Sequence, residues 1–447
     1  MPNRPRTQIF MASTLYGAAT LAAALDADRF GPADRRLLLV SNNATTPETT
    51  AALDTMPGFD RLRGRFDRVL SWNETISPFH PGGWSPRADD APLWERYLRL
   101  LWGLGDSEIE LVVESIQVNP ALALAQVFPG APIDVYADGL MSYGPTRNKL
   151  DPLIGTRIGR LLHLDLVPGL TPLLLTEFGV AAETVPTDAF TKVLTELGDN
   201  SGELDVPEGG VLLLGQYLSA LGILTPEEEE DLHLRMVRGA VERGHREIVF
   251  KPHPSAPARW SRLLEREAET LDIELTVLDS PVLAEVLYQR MRPALVVGCF
   301  STALLTASTF YDLPTARTGT GLLLERLSPY QNSNRIPVTI VDALVPDLKD
   351  AASRKLSGDI GDLVTAVGYA MQHQIYPTLR PAAERYLAAH LDQRTWPYFK
   401  RRRLTALALP GAIPSQLAFI PRNATVRKVA RRARAVQRRL KKRTAFG

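Results

Sequence analysis

The sequence predicts an α/β protein made of two parallel-sheet domains facing each other across a cleft. Two observations carry this. Short apolar runs alternate with helix-like segments from residue 7 to residue 136, and the alternation restarts at residue 211 and continues to residue 309. Between the two series, residues 183–210 hold scattered acids, Asn200-Ser201-Gly202 and Pro207-Glu208-Gly209-Gly210, a composition that reads as a linker. Strand–helix alternation of this kind builds parallel sheets covered by helices on both faces.

In the first series, Thr7–Ala12, Arg36–Ser41, Phe66–Ser71, Glu110–Val113 and Ile133–Tyr136 read as strands, and Tyr16–Leu25, Ala91–Trp102 and Asn119–Phe128 as helices. In the second, Val211–Leu214, Glu247–Phe250, Glu274–Leu278 and Ala294–Val297 are strands. Pro226–Gly244 is a helix with Thr225 as N-cap and acids in its first turn. Arg259–Leu271 is another, and Ser280-Pro281 caps a third that runs to about Arg290. Ser301–Thr309 opens a fourth. The expected partition is an N-terminal domain over 1–182, a linker over 183–210, a C-terminal domain over 211–375, a helix over 376–397 crossing back to the first domain, and a basic tail over 398–447.

Composition bounds the class. A chain of 447 residues exceeds one ordinary core, and 45% hydrophobic with 23% charged residues is globular. One cysteine excludes a disulfide framework and fits a reducing compartment. No apolar run is long enough to span a bilayer, and the start does not read as a signal peptide, so a cytoplasmic location is expected. The net charge of +1 hides an asymmetry: fifteen of the 51 Lys and Arg lie from Tyr398 onward with no Asp or Glu, leaving residues 1–397 at −14. There is no Gly-x-Gly-x-x-Gly fingerprint, no P-loop and no His/Cys cluster with metal spacing.

Three strand ends carry chemistry. Lys251-Pro252-His253-Pro254 follows Ile248-Val249-Phe250, so an imidazole and an ammonium stand at the carboxyl edge of a sheet, where open α/β sheets bind ligands. Ser301 and Thr302 follow Leu295-Val296-Val297 at a helix N-terminus, which is a ready anion site; a bare cap pair is the plain alternative. Asp138-Gly139 ends the strand Ile133–Tyr136; Asp138 is a candidate general base, or else part of an ordinary Asp-Gly turn. Just beyond lie Ser142, Tyr143, Thr146 and Arg147, a polar group suited to a sugar or carboxylate.

These motifs, Tyr136-Ala137-Asp138-Gly139-Leu140-Met141-Ser142-Tyr143-Gly144-Pro145, Lys251-Pro252-His253-Pro254 and Ser301-Thr302, together with the opening Gln8-Ile9-Phe10-Met11-Ala12-Ser13-Thr14-Leu15-Tyr16, resemble the bacterial α-2,8-polysialyltransferase-like family over about residues 7–330. Two departures stand out: Ala137 occupies the first place of a motif that usually carries two acids, and the hydroxyl pair reads Ser-Thr. The resemblance implies a GT-B glycosyltransferase with two Rossmann-like domains, a CMP-activated sialic acid or related nonulosonic acid as donor, a glycan acceptor, an inverting one-step displacement and no essential metal or other cofactor. It implies Asp138 as base, His253 assisting departure of the phosphate, and Lys251, Ser301 and Thr302 holding that phosphate. Gly215 and Gln216 are expected to line the nucleotide pocket, and Glu285 to accept from ribose hydroxyls or else to lie on a solvated helix face. Gly139, Ser142, Tyr143 and Arg147 are expected on the acceptor side. Single transfer and polymerisation both remain open, as do a CDP-alcohol phosphotransferase of the teichoic-acid type and a catalytically silent polysaccharide-binding or export component.

In the tail, Thr425, Val426, Val429, Ala430, Ala433, Val436 and Leu440 recur at helical spacing among Lys and Arg, which reads as a basic amphipathic helix. An anionic inner-membrane surface is the expected partner and would bring the enzyme to a lipid-linked acceptor; a solubilising tail is the alternative. Nucleic acid is not expected, because the acidic body would repel it.

Overall fold

The computed structural model describes residues 4–199, 206–253, 258–350 and 359–413. Seven parallel strands form the first sheet: β1 (Arg6–Ala12), β2 (Arg35–Val40), β3 (Arg68–Ser71), β4 (Glu108–Glu114), β5 (Ile133–Ala137), β6 (Ile158–Leu164) and β7 (Ala181–Val185), in the order β3-β2-β1-β4-β5-β6-β7. Five parallel strands form the second: β8 (Val211–Leu214), β9 (Glu247–Lys251), β10 (Glu274–Val277), β11 (Leu295–Gly298) and β12 (Thr315–Arg317), in the order β10-β9-β8-β11-β12. Each sheet reverses its winding beside its first strand, between β1 and β4 and between β8 and β11. Ligands bind outside the carboxyl ends of strands at such switch points.

The central strands are buried on both faces, which explains continuous runs such as Leu37-Leu38-Leu39-Val40 and Val211-Leu212-Leu213-Leu214. Helix Leu15–Asp26 is rich in Ala and nearly wholly buried, with Thr14 accepting from the Gly17 N–H as its N-cap. The Thr225 capping box with Glu228 starts the helix Pro226–Glu242 as expected. The result is the GT-B arrangement of two Rossmann-like domains.

The expected partition needs correction in three places. Residues 183–199 are not linker: β7 ends there, and the helix Thr187–Asp199 follows, burying Phe190, Val193, Leu194 and Leu197. The helix expected from Pro281 begins at Ala284, with Leu283 as cap. The expected long helix after Tyr376 is a short turn, a helix over Arg380–His390, and a turn at Trp396–Tyr398. The return to the first domain is made by the helix Ile360–Gln372 and by Tyr376, whose hydroxyl accepts from the Thr146 N–H at 2.9 Å and donates to Glu177 at 2.6 Å. The start of the basic segment is docked as well: Tyr398, Phe399 and Leu404 are buried, and the Arg403 guanidinium donates to the carbonyl oxygens of Ala370 and Met371. Residues 414–447, which hold the expected amphipathic helix, lie outside the described residues.

Candidate active site

On the first sheet, the adjacent ends of β1, β4 and β5 carry Ser13-Thr14, Glu114 and Asp138. The Ser13 hydroxyl donates to Glu114 Oε2 at 2.5 Å and its N–H at 3.2 Å, tying the two sides of the switch point together. Asp138 lies over the first turn of helix Leu15–Asp26. A Cβ on Gly17 would stand 3.2 Å from Asp138 Oδ2 and 3.0 Å from the Tyr136 hydroxyl, so glycine leaves room for the carboxyl group. Helix N-termini favour anions, but here burial wins. The Asp138 pKa is pushed up to about 7, by burial first, then by Glu114, with Glu285 of the other domain adding. Burial also raises Glu114, against the Ser13 hydrogen bonds.

On the second sheet, β8, β9 and β11 end side by side. Gly215 follows β8, and its N–H donates to the Lys251 carbonyl at 2.9 Å. A Cβ there would lie 2.9 Å from the Phe250 ring and 3.2 Å from that carbonyl, so the close approach requires glycine. Gln216 Oε1 accepts from the Phe300 N–H at 3.2 Å and fixes the turn before Ser301. Ser301 caps the helix Thr302–Phe310, its hydroxyl accepting from the Ala303 N–H at 3.3 Å. Lys251 Nζ donates to the Ser280 carbonyl at 3.1 Å; burial lowers its pKa, with Glu285 and Asp279 opposing. His253 is solvent-accessible, with its ring 6.4 Å from that of Tyr217, and burial of its inner side lowers its pKa, helped by the Lys251 charge.

The two motif sets meet. The Leu140 N–H points at Thr302 Oγ1 across 3.4 Å, and a Cβ on Gly139 would lie 3.3 Å from the same oxygen. Nearby, the Tyr16 hydroxyl of the first domain is 3.3 Å from the Thr306 hydroxyl of the second, and Thr309 donates to the Leu166 carbonyl at 3.1 Å. Glu285 lies buried at this seam, neither on a solvated helix face nor open to a ribose. Its pKa is pushed up to about 7 by burial, with Lys251 and the Thr306 hydrogen bond opposing.

The acceptor-side expectation needs correction too. Ser142 and Tyr143 are buried, Ser142 donating to the Gly139 carbonyl at 2.8 Å and Tyr143 bridging the Leu164 carbonyl and the Val167 N–H, both at 3.2 Å. Their hydroxyls hold the turn after Gly139 and offer nothing to an acceptor. Arg147 is half-buried beside the loop after β4, its N–H donating to Gln117 Oε1 at 2.6 Å. Burial lowers its pKa, and no ion pair engages its guanidinium among the described residues.

Sequence reasoning assigned no role to Ser13, Glu114, Tyr16 or Thr306. The signal for the first two was positional: they end the strands on either side of the switch point. Among the described residues no group of three or more His, Cys, Asp or Glu could hold a metal, and no helix is long and apolar enough to cross a membrane. Cys299 is buried, which pushes its thiol pKa up. The site thus offers a carboxylate titrating near neutrality opposite a Lys, a His and a capped helix N-terminus.

A family model described as alpha-2,8-polysialyltransferase (POLYST) matches residues 8–320. No curated protein matches the chain by sequence. Among solved structures, the GT-B domain of a sialyltransferase from Photobacterium damselae is similar at 13% identity and a TM-score of 0.43, over 77% of this chain and 98% of that one. UGT2 from Phytolacca americana, complexed with UDP-2-fluoro-glucose and pterostilbene, is similar at 13% identity and a TM-score of 0.43, over 90% and 99% of the two chains. The UDP-GlcNAc 2-epimerase of Methanocaldococcus jannaschii is similar at 14% identity and a TM-score of 0.41, over 70% and 83%. Likenesses this distant say nothing about the reaction.

Proposed function

The chain belongs to the alpha-2,8-polysialyltransferase family, and we propose that it moves a sialic acid, or a related nonulosonic acid, from a CMP-activated donor to a glycan hydroxyl with inversion. The observation that supports this reading is the meeting across the seam of the loop carrying Asp138 with the end of β11, where the Leu140 N–H faces Thr302, with the pKa of Asp138 itself raised to about 7. Asp138 takes the proton of the acceptor hydroxyl as its oxygen attacks the anomeric carbon. The bond from that carbon to the phosphate oxygen breaks, and its electron pair leaves with CMP. Lys251, His253, Ser301 and the N–H groups opening the helix Thr302–Phe310 stabilise the departing phosphate. In this reading Lys251 supplies the positive charge and His253, whose pKa is lowered, supplies a hydrogen bond, so no metal is required. Gly215 and Gln216 shape the turn against which the nucleotide lies.

CMP release tests it. The enzyme should liberate CMP from CMP-sialic acid in the presence of glycans, and Asp138→Asn should slow this by about 10²–10⁴ while CMP affinity stays nearly intact. Release of CMP from a CDP-alcohol but not from CMP-sialic acid would overturn the assignment. So would an Asp138→Asn variant that turns over at the parent rate.

A further inference from the structure

A run of aromatic rings at the carboxyl edge of the second sheet leads to His253, and the mechanism above uses only its last member. The run starts on β9, where the Phe250 ring packs at 5.3 Å on His233 of the helix Pro226–Glu242. His233 packs at 5.5 Å on Trp260, in the helix Ala258–Leu271. Trp260 meets Tyr217 edge to face at 5.4 Å, and the Tyr217 ring stands 6.4 Å from that of His253, tilted by 49°. Phe250 and His253 flank Lys251 and Pro252, so the rings close a circuit around the end of β9.

The inner members are fixed. Trp260 is 2% exposed, and its Nε1–H donates to Glu230 Oε1 at 3.1 Å. His233 is buried, and neither of its nitrogens bonds to a described residue; burial pushes its pKa down to about 4, so the ring is neutral and packs as a hydrophobe. Tyr217 is held through the backbone on both sides. Gln216 before it accepts from the Phe300 N–H. Leu218 and Ser219 after it donate their N–H groups to the two carboxylate oxygens of Glu229 at 2.6 and 2.7 Å. Glu229 is fully buried on the same helix as His233. Burying a carboxylate is costly, and here two charge-assisted hydrogen bonds offset that cost and pin the loop. The Tyr217 side chain itself is half-buried, and its hydroxyl bonds to no described residue, so what it offers its neighbour is the ring.

His253 has use for such a neighbour. It is exposed beyond the end of β9, where a side chain samples several rotamers. A group that must reach a departing oxygen loses rate when misplaced. A fixed ring on one flank removes rotamers and keeps water from that flank. The charged group that acts on the imidazole is Lys251, itself faced by Glu285 and Asp279.

We infer that Tyr217 is a positioning residue: its ring, braced by Trp260 and His233, holds the His253 imidazole in place for the departing phosphate. The inference rests on the transfer reading above and deepens it, since Tyr217 acts only through His253.

The first test needs no substrate. The seven histidines of the full chain are followed by NMR through a pH titration, and the His253 signal is identified by its loss in His253→Ala. In Tyr217→Ala the His253 pKa should rise toward 6.5 as one flank regains water. Tyr217→Phe keeps the ring and should return it to the parent's value. The second test is CMP release from CMP-sialic acid. Tyr217→Ala should lower kcat about tenfold, and Tyr217→Phe should restore it to within about twofold of the parent. In a His253→Ala background Tyr217→Ala should cost no more than about twofold further. An unmoved His253 pKa in Tyr217→Ala overturns the proposal. So does a Tyr217→Ala loss as large without the imidazole as with it, or a Tyr217→Phe variant as impaired as Tyr217→Ala. If the parent never turns over CMP-sialic acid, the transfer reading falls, and the titration alone decides whether Tyr217 holds His253.

Discussion

Replacing Glu114 by Gln should make the enzyme faster at mildly acidic pH. Asp138 sits near 7 instead of its ordinary 3.8, a displacement worth about 4 kcal/mol. Burial is the largest cause and persists in the variant; the Glu114 charge is the next. Glutamine keeps the size of the side chain and an oxygen for the Ser13 hydroxyl but removes the charge. Removing a neighbouring carboxylate charge lowers a carboxyl pKa, and a fall of about one unit, about 1.4 kcal/mol, is expected for Asp138. At pH 6 the parent holds about a tenth of Asp138 ionised and the variant about half, so kcat/KM should rise about fivefold there, with no gain above pH 8. The assay is CMP release from CMP-sialic acid between pH 5 and 9. Asp138, Glu114 and Glu285 titrate as a coupled group, so the limb belongs to the cluster. Glu285→Gln is the control, and because Glu285 is the lesser cause it should move the limb less. An acid limb near pH 4 in the parent, or an unmoved limb in Glu114→Gln, would refute the reasoning.

Three further outcomes are expected. His253→Ala and Ser301→Ala should each weaken CMP in calorimetry, and the parent should prefer CMP to UMP or ADP; equal affinity for UDP-sugars sinks the nucleotide assignment. Glu285 is raised from 4.5 to about 7 in the folded chain, so its favourable contribution is full below pH 4.5 and is lost as pH rises through 7; Glu285→Gln should therefore match the parent's melting temperature near pH 4.5 and exceed it by a few degrees at pH 8.5, from about 1–3 kcal/mol. Deleting residues 422–447 should abolish flotation with anionic vesicles at low salt and leave CMP binding intact; a truncated chain that floats like the full one removes the membrane role from the tail.

Most strands were legible because strands buried on both faces read as unbroken apolar runs. β6 and β7 escaped because Arg160 and Glu183 interrupt them, and these charges are tolerated because Arg160 pairs with Asp134 at 2.8 Å and with Glu183 at 3.2 Å. The helix Thr187–Asp199 was readable from Phe190, Val193, Leu194 and Leu197 at helical spacing, but the neighbouring acids and the Asn200-Ser201-Gly202 break drew the eye to a linker. The strand-end positions of Asp138, Lys251 and Ser301 were legible because the apolar strands before them were. Glu285 was named, but its burial was not legible, since the residues that cover it come from distant parts of the chain and leave no periodic trace. Ser142 and Tyr143 misled because polarity in a loop looks the same whether the hydroxyls face solvent or, as here, tie the backbone.

The contact between Gly139 and Thr302 has an evolutionary consequence. The loop that carries Asp138 and the turn that carries Ser301 and Thr302 meet at one point, where even a methyl group is tight. The two halves of the chain are therefore not freely interchangeable with those of relatives. A chimera joining this N-terminal half to a foreign C-terminal half inherits that junction as its weak spot, and the size of the residue facing Gly139 sets how closely its halves can pack.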